Sequence, residues 1–207
     1  MITIINYGMG NLGSVKNMLK KVGESSIIAS DKETIREATK ILLPGVGAFD
    51  NAIKNLHDLD IFSLIKDKVL EEKTPIMGIC LGMQLLTKGS EEGSKKGFGF
   101  IDAEAKKFNF DGIDKKLFIP HMGWNTVKVQ KESMLFKKDE ADPRFYFVHS
   151  YAVQCNDSED ILTTTKYGYE FVSGFEKDNI IGFQFHPEKS HKFGMQLFKS
   201  FVRNYNA

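Results

Sequence analysis

The chain has 207 residues, 42% of them hydrophobic, and its 28 basic side chains nearly balance its 27 acidic ones. This length predicts a single domain, residues 1–207, with a substantial core, and the balanced charge argues against a nucleic-acid or membrane surface. No segment approaches the roughly 20 apolar residues of a membrane span. The initial MITIINYG lacks a basic region followed by a long apolar one, so we expect no secretion signal and a cytoplasmic protein.

Strand and helix patterns alternate through the first part of the chain. Short β-branched or apolar runs predict buried parallel strands, and amphipathic spacing predicts helices between them. The predicted strands are 2–6, 25–30, 40–44 and 75–79, and the helical stretches are 12–23, 32–38, about 50–72 and 82–87. This alternation favours an α/β fold with a mostly parallel sheet and helices on both faces.

The second part of the chain has a different pattern. From Gly97 onward, aromatic and β-branched runs separated by turn residues predict antiparallel strands and hairpins. A closing helix is predicted over about 189–204. We therefore expect the parallel sheet to carry an antiparallel extension.

Three glycines follow the first predicted strand. GMGNLG (8–13) matches the G-x-G-x-x-G fingerprint of dinucleotide-binding proteins, and Asp31 follows the second strand, where a ribose-binding carboxylate is expected. However, a doubly wound sheet needs a tight first turn whatever it binds, and glycine provides one. On this motif alone, a dinucleotide site and a structural turn both stay open.

The segment PIMGICLGMQLL (75–86) changes from a strand pattern to a helix pattern at Cys80. Gly78-Ile79-Cys80-Leu81-Gly82 has the G-x-nucleophile-x-G spacing of a nucleophile elbow, with cysteine in place of serine. Flanking glycines relieve the crowding of so sharp a turn, and the helix N-terminus that follows favours the thiolate. The alternative is a small buried apolar side chain, as most cysteines are.

Cys80 and Cys155 are the two cysteines of the chain. Without a secretion signal we expect both to stay reduced. Because they are isolated and no His-x-x-x-His spacing occurs, we expect no metal site.

A histidine could supply the base that such a cysteine needs. Four histidines have simpler interpretations, as solvated helix residues or satisfied residues in strands: His57, His191, His121 and His149. His186 ends a strand in IIGFQFHPE, and on an extended chain His186 and Glu188 point to the same side. Pro187 fixes the chain between them. Glu188 can then orient the imidazole and the imidazole can take the thiol proton, so the sequence predicts a Cys-His-Glu triad.

Attack by a thiolate on a carbonyl group also needs donors for the oxyanion. The N–H of Leu81, at the start of the predicted helix, is one candidate. The segment LLPGVG (42–47) supplies the other, because its small residues let the N–H of Val46 or Gly47 approach a substrate. The alternative for this segment is an ordinary glycine turn before a helix.

Six segments, in the same order, resemble the class I (triad) glutamine amidotransferases, and within them the glutaminase subunits of imidazole glycerol phosphate synthases. They are NYGMGNLGSV, LPGVGAF, GICLGMQLL, PHMGWN, HSYAV and GFQFHPEKS. The resemblance covers essentially the whole chain and implies a flavodoxin-like sheet. It also assigns the glycines at 8–13 to the first motif, which counts against a dinucleotide site, and it implies no cofactor.

The resemblance further implies that Cys80 attacks the side-chain amide of L-glutamine and releases ammonia, leaving a thioester that water hydrolyses. His186 would act as base and then acid, with Glu188 orienting it. In the family, the residue that matches Glu92 contacts the ammonium group of the substrate, and a loop holds the substrate α-carboxylate. The residues matching substrate contacts are Gln84, Glu92 and the backbone of His149, Ser150 and Tyr151.

A partner subunit is implied as well, because the predicted fold leaves no residues for a site that accepts ammonia. In the family a (β/α)₈ cyclase receives the ammonia through a shielded passage and forms imidazole glycerol phosphate for histidine synthesis. One alternative is a paralogue that supplies ammonia to a surface-glycan sugar. Another is a degenerate regulatory subunit without activity, against which the intact Cys80, His186 and Glu188 count.

We expect the cyclase to dock around the carboxyl ends of the parallel strands, where ammonia would leave. The candidate interface residues are Asn11, Trp124, Lys189 and Ser190. Tryptophan is enriched at the centres of interfaces. The alternatives are a core position for Trp124 and an ordinary surface lysine at a helix start for Lys189.

Overall fold

The computed structural model describes residues 1–114, 116–136 and 143–205, which form thirteen strands and six α-helices. The strands are β1 (Ile2–Ile5), β2 (Ser26–Ala29), β3 (Lys40–Gly45), β4 (Ile76–Cys80), β5 (Gly89–Ser90), β6 (Ala103–Lys107), β7 (His121–Thr126), β8 (Lys128–Val129), β9 (Arg144–His149), β10 (Tyr151–Cys155), β11 (Ile161–Tyr167), β12 (Tyr169–Lys177) and β13 (Ile180–Phe183). The helices are α1 (Leu12–Lys21), α2 (Lys32–Arg36), α3 (Phe49–Asp58), α4 (Phe62–Leu70), α5 (Leu81–Leu85) and α6 (His191–Asn204). Single 3-10 turns occupy Ser158–Asp160 and Pro187–Lys189.

Five parallel strands, in the order β2-β1-β3-β4-β13, form one part of the main sheet. This is the strand order of flavodoxin-like folds. Antiparallel strands β12, β10 and β6 continue the sheet from β13, and β11 and β8 extend it beside β12. Strands β7 and β9 pair in a separate two-stranded sheet. The predicted α/β fold, a mostly parallel sheet with an antiparallel extension, is confirmed.

Helices cover both faces of the parallel strands, as predicted. Successive strand residues point to opposite faces, so Ile4 packs among residues of α1 and α6, whereas Ile5 packs among residues of α2 to α5. Both side chains are fully buried, which explains why the strand is apolar on both sides. No helix among the described residues is long and apolar enough to cross a membrane.

The amphipathic stretch predicted at about 50–72 forms two helices. The first, α3, ends at Asp58, and Asp60 has a φ of 54°, a left-handed conformation that aspartate tolerates better than most residues. The Asp60 N–H donates to the His57 carbonyl oxygen at 2.8 Å. Ile61 is fully buried and fixes the chain before α4 begins.

The closing helix α6 begins at His191, two residues later than predicted. Pro187–Lys189 form a separate 3-10 turn. His191 has a φ of 45°, so the backbone cannot pass from that turn into α6 as one continuous helix.

Gly8 and Gly10 of GMGNLG form the turn between β1 and α1, and Gly13 lies in the first turn of α1. Gly8 and Gly10 have φ values of 82° and 106°, and a Cβ at Gly10 would lie 3.0 Å from the Pro44 carbonyl oxygen. The Asp31 carboxylate accepts a hydrogen bond from the Thr34 N–H at 2.8 Å and caps α2. These glycines and this acid therefore have structural roles in the fold.

Candidate active site

Cys80 lies at the junction of β4 and α5, at the carboxyl edge of the parallel strands. Its φ of 56° and ψ of −110° belong to neither strand nor helix, which is the backbone conformation of a sharp strand-to-helix turn. A Cβ on Gly82 would lie 1.7 Å from the Leu43 carbonyl oxygen, and one on Gly78 would lie 2.6 Å from the Gly82 carbonyl oxygen. Larger residues at these two positions would therefore push the elbow off the sheet.

His186 and Glu188 form a buried pair just after β13. His186 Nδ1 lies 2.7 Å from Glu188 Oε1, and each side chain is 2% exposed. Pro187 begins the 3-10 turn that brings the carboxylate back beside the ring. The His186 backbone is held on both sides, because its N–H donates to Tyr146 O at 2.9 Å and its carbonyl oxygen accepts from Ser190 Oγ at 2.6 Å.

The other ring nitrogen of His186 is available to Cys80. His186 Nε2 is buried and has no hydrogen bond of normal geometry within the described part of the chain. Burial alone would lower the pKa of His186, but its interactions with the Cys80 sulfur and the Glu188 carboxylate raise it to about 10. The raised pKa favours the protonated ring, and an imidazolium beside a cysteine sulfur stabilises the thiolate form.

The second cysteine has a different environment. Cys155 lies at the end of β10, half-buried, and both cysteines are free thiols. Burial, together with the nearby Asp160, raises the pKa of the Cys155 thiol to about 12. This side chain therefore stays protonated and unreactive at neutral pH.

The end of β3 lies beside the elbow. Gly45 pairs with Cys80 in the β3–β4 register, so Val46 and Gly47 follow next to the start of α5. Val46 is 44% exposed and Gly47 has a φ of 114°. The backbone of Val46, Gly47 and Leu81 thus reaches the Cys80 end of the sheet, and their role as oxyanion donors stays a prediction.

Among the residues matched to substrate contacts, Gln84 lies on α5 and the others lie on segments near it. Gln84 Nε2 donates to the Tyr151 carbonyl oxygen at 3.5 Å. Burial and the nearby Glu92 carboxylate raise the pKa of the Tyr151 hydroxyl, and Glu92 itself accepts from the Phe49 N–H at 2.9 Å. Ser150 joins β9 to β10 directly before Tyr151. The structure therefore brings Gln84, Glu92 and the 149–151 segment together, and their contacts with glutamine stay predictions.

A hydrogen-bonded histidine pair supports the 149–151 segment. His149 Nδ1 lies 2.7 Å from the Tyr151 carbonyl oxygen, and His149 Nε2 lies 3.0 Å from His121 Nδ1. Because a carbonyl oxygen only accepts, His149 carries its proton on Nδ1 and accepts from His121, whose Nε2 lies 3.3 Å from the Asn125 amide nitrogen. Burial lowers the pKa of His149 to about 3 and that of His121 to about 4. Both rings are neutral, buried and satisfied, so neither competes with His186 as the base.

Two residues without a predicted role contact the site. Gln184 is fully buried, and its Nε2 donates to Cys80 Sγ at 3.7 Å. The Tyr7 hydroxyl donates to Pro44 O at 2.9 Å, and burial and the charge at Cys80 raise the pKa of that hydroxyl. Both residues lie within the motifs quoted above. A polar side chain inside the apolar run IIGFQF was the signal that could have identified Gln184.

Three of the four predicted docking residues are on the surface. Asn11 is exposed, and its side chain caps α1. Trp124 is 41% exposed and stacks on His191 with ring centroids 5.5 Å apart, so the core alternative is not supported. Lys189 is exposed, with Nζ 5.7 Å from the centroid of the Tyr146 ring.

Ser190 does not fit the docking prediction. It is fully buried, and its hydroxyl accepts from the Tyr146 N–H at 3.0 Å while donating to the His186 carbonyl oxygen. The side chain is held inside the fold because it satisfies two backbone groups, the Tyr146 N–H and the His186 carbonyl oxygen. Its contribution is to the position of His186 rather than to a partner surface.

A strained cysteine between a parallel strand and a helix, beside a buried histidine–carboxylate pair, defines an elbow-type thiol enzyme that acts on carbonyl groups. Among the residues that the structure describes, no group of three or more His, Cys, Asp or Glu side chains is arranged to hold a metal ion. The family model for glutamine amidotransferase class-I matches residues 3–204. The chain belongs to the class-I glutamine amidotransferase family.

Individual relatives are similar over the full length. The chain is 54% identical to imidazole glycerol phosphate synthase subunit HisH 2 of Methanococcus maripaludis, over 98% of this chain and 99% of that protein. It is 46% identical to the subunit HisH 2 of Pseudomonas aeruginosa, over 98% of each. Among solved structures, PurLQS of Thermotoga maritima has a TM-score of 0.73 at 18% identity, over 97% of this chain and 96% of that one. The last likeness shows the fold alone.

Proposed function

We propose that this chain hydrolyses L-glutamine to glutamate and ammonia as the glutaminase subunit of an imidazole glycerol phosphate synthase. The observation that carries the proposal is the Cys80 elbow beside the buried His186–Glu188 pair, in a chain of the glutamine amidotransferase family. We further propose that residues 1–207 act as one cytoplasmic domain, and the match of the family model to residues 3–204 supports this extent.

The first half of the reaction forms a thioester. The Cys80 thiolate attacks the side-chain amide carbon of glutamine, and the carbonyl oxygen becomes an oxyanion that backbone N–H groups of Leu81 and of Val46 or Gly47 stabilise. The His186 imidazolium gives its Nε2 proton to the departing nitrogen, so that ammonia leaves and the glutamyl group stays on the sulfur.

The second half restores the free enzyme. His186, now neutral, takes a proton from water through Nε2, and the resulting hydroxide attacks the thioester carbon. Collapse of this intermediate releases glutamate and returns the Cys80 thiolate beside an imidazolium. Glu188 accepts from Nδ1 at 2.7 Å throughout, which keeps Nε2 directed at the reacting atoms and stabilises the positive charge on the ring.

Recognition of glutamine falls to Glu92, which is bonded to the Phe49 N–H at the start of α3, and to the 149–151 segment. Glu92 supplies a carboxylate for the α-ammonium group, and backbone N–H groups of the 149–151 segment face the α-carboxylate. The neutral His149 donates to the Tyr151 carbonyl oxygen, which fixes the orientation of this segment. Because His149 carries no charge, it neither repels the substrate ammonium nor competes with it for Glu92.

The ammonia requires an acceptor on another subunit. In free solution at neutral pH it would be protonated to ammonium, which is not a nucleophile. The relatives are named as subunits of a synthase, which supports a partner, and we propose a (β/α)₈ cyclase docked over the exposed Trp124 and Lys189. The same names favour imidazole glycerol phosphate over a surface-glycan sugar as the product.

Glutamine hydrolysis tests the chemistry. We expect Cys80→Ala to lower glutamate production in the complex by several orders of magnitude, as loss of a triad nucleophile does, without loss of folding or partner binding. Cys155→Ala is the matched control and should be nearly silent. A loss of less than about tenfold in Cys80→Ala would remove this residue from the nucleophile role.

The acceptor is tested separately. Mixed with a histidine-pathway cyclase and its phosphoribulosyl-formimino substrate, the chain should form imidazole glycerol phosphate from glutamine, and Cys80→Ala should form none. Product from free ammonium salts but none from glutamine, in a complex that hydrolyses glutamine, would favour the surface-glycan alternative.

A further inference from the structure

Gln184 is a buried amide that lies between the sheet and the nucleophile. It follows β13, is fully buried, and its backbone N–H donates to Ser173 O at 2.9 Å. A primary amide without partners would be costly at such a position. Its two ends have partners: Oε1 accepts from Gln84 Nε2 at 3.0 Å, and Nε2 donates to Cys80 Sγ at 3.7 Å.

The neighbours fix which end of the Gln184 amide faces the sulfur. Gln84 directs its Nε2 at the Tyr151 carbonyl oxygen, which can only accept. The same Nε2 group also donates to Gln184 Oε1. A reversed Gln184 would place two NH₂ groups face to face and an amide oxygen against the sulfur. The amide nitrogen of Gln184 therefore points at Cys80.

The sulfur also faces a backbone carbonyl group. Cys80 is 7% exposed, and its Sγ lies 3.9 Å from the Val148 carbonyl oxygen. A carbonyl oxygen suits a protonated thiol and disfavours a thiolate. The amide N–H of Gln184 does the opposite, since a donor stabilises the anion. Gln184 is therefore a neutral donor that complements the charge of His186 around the thiolate.

We propose that Gln184 is a further catalytic residue, whose side-chain N–H holds the Cys80 sulfur as a thiolate aimed at the substrate amide carbon. The inference rests on the proposed role of Cys80 as the nucleophile. A fixed neutral donor has an advantage over a second cation: it stabilises the thiolate without repelling the positive charge of the His186 imidazolium.

The test measures the reactivity of Cys80 without any turnover. In a Cys155→Ala background Cys80 is the remaining thiol, so its rate of alkylation by iodoacetamide can be followed against pH. Gln184→Met keeps the length of the side chain and removes the N–H donor. In this variant we expect the acidic limb of the rate profile to shift to higher pH by about one unit, which is about a tenfold loss of alkylation rate at any pH on that limb. Gln184→Glu, which still accepts from Gln84 but turns an oxygen toward the sulfur, should move it further.

Ser173→Ala is the matched control. Its hydroxyl is fully buried, and its hydrogen-bond partner is Thr163 Oγ1 at 3.0 Å rather than the sulfur, so the alkylation profile should stay unchanged. An unchanged profile in a folded Gln184→Met chain would overturn the inference, and if that variant fails to fold, an unchanged profile in Gln184→Glu would overturn it. Shifted profiles in a chain that does not hydrolyse glutamine would support the inference and defeat the proposed function instead.

Discussion

His149 provides a sharp test of the buried histidine pair that supports the 149–151 segment. The pair holds the Tyr151 carbonyl oxygen in place, and burial lowers the pKa of His149 to about 3. In the unfolded chain the imidazole returns to its ordinary pKa of 6.5. Between these two values the unfolded state binds a proton that the folded state does not. This contribution to stability is complete above pH 6.5 and is lost as the pH falls toward 3.

The size of the effect follows from the two pKa values. Near pH 5 the unfolded imidazole is almost fully protonated and the folded one is almost fully neutral. The free energy of unfolding therefore falls by about 1.4 kcal/mol per pH unit on account of this residue. From pH 6.5 to about pH 4 the loss amounts to roughly 3 kcal/mol. That is a large part of the marginal stability of an ordinary domain.

Urea unfolding at a series of pH values measures this directly. His149→Asn keeps a donor for the Tyr151 carbonyl oxygen and removes the titrating ring. We expect the variant to start less stable at neutral pH, since His121 loses its acceptor, but to lose roughly 3 kcal/mol less on acidification. His57→Asn, at an exposed position, is the control, and it should leave the slope of the free energy of unfolding against pH unchanged. If the free energy of unfolding falls as steeply with decreasing pH in His149→Asn as in the parent chain, the assignment of His149 as a neutral, buried ring is refuted.

Two further predictions concern the triad and the docking surface. In steady-state kinetics, Glu188→Gln should lower kcat at least about tenfold, but less than His186→Ala does, and should leave the glutamine KM little changed. The reason is that the carboxylate orients and stabilises the ring without touching substrate. Full activity in this variant would mean that something else holds His186. Trp124→Ala should weaken cyclase binding, measured by calorimetry, by about 2 kcal/mol or more. Lys189→Ala should reduce cyclase-coupled activity more than basal glutaminase activity. Unchanged affinity in the first variant and unchanged coupling in the second would place the docking surface elsewhere.

The elbow at Cys80 and the His186–Glu188 pair were predictable because their signals are local. The elbow needs glycines two positions on either side of Cys80, and the structure shows why, since a Cβ at Gly78 or Gly82 would collide with backbone. His186 and Glu188 are two residues apart across a proline, so their contact depends on little else. Patterns that span only a few residues can be recognised in a sequence because no distant partner is needed to interpret them.

Other features depend on segments that meet only in the fold. Gln184 reaches Cys80 because β13 pairs with β4, and these strands are separated by almost half of the chain. Ser190 follows a lysine and looks like a surface residue, but its hydroxyl turns inward to backbone groups of His186 and Tyr146. The break at Asp60 likewise depends on Ile61 being buried against other elements, which periodicity alone does not reveal.

Covalent trapping tests the central claim, that Cys80 is the nucleophile that attacks glutamine. The complex would be treated with a diazoketone analogue of glutamine, digested, and mapped by mass spectrometry while residual glutaminase activity is followed. We predict one adduct per chain, on Cys80, formed in proportion to the loss of activity and prevented by excess glutamine, with Cys155 unlabelled. Full glutaminase activity in a chain whose Cys80 is completely modified, or inactivation with the label on another residue, would contradict the account.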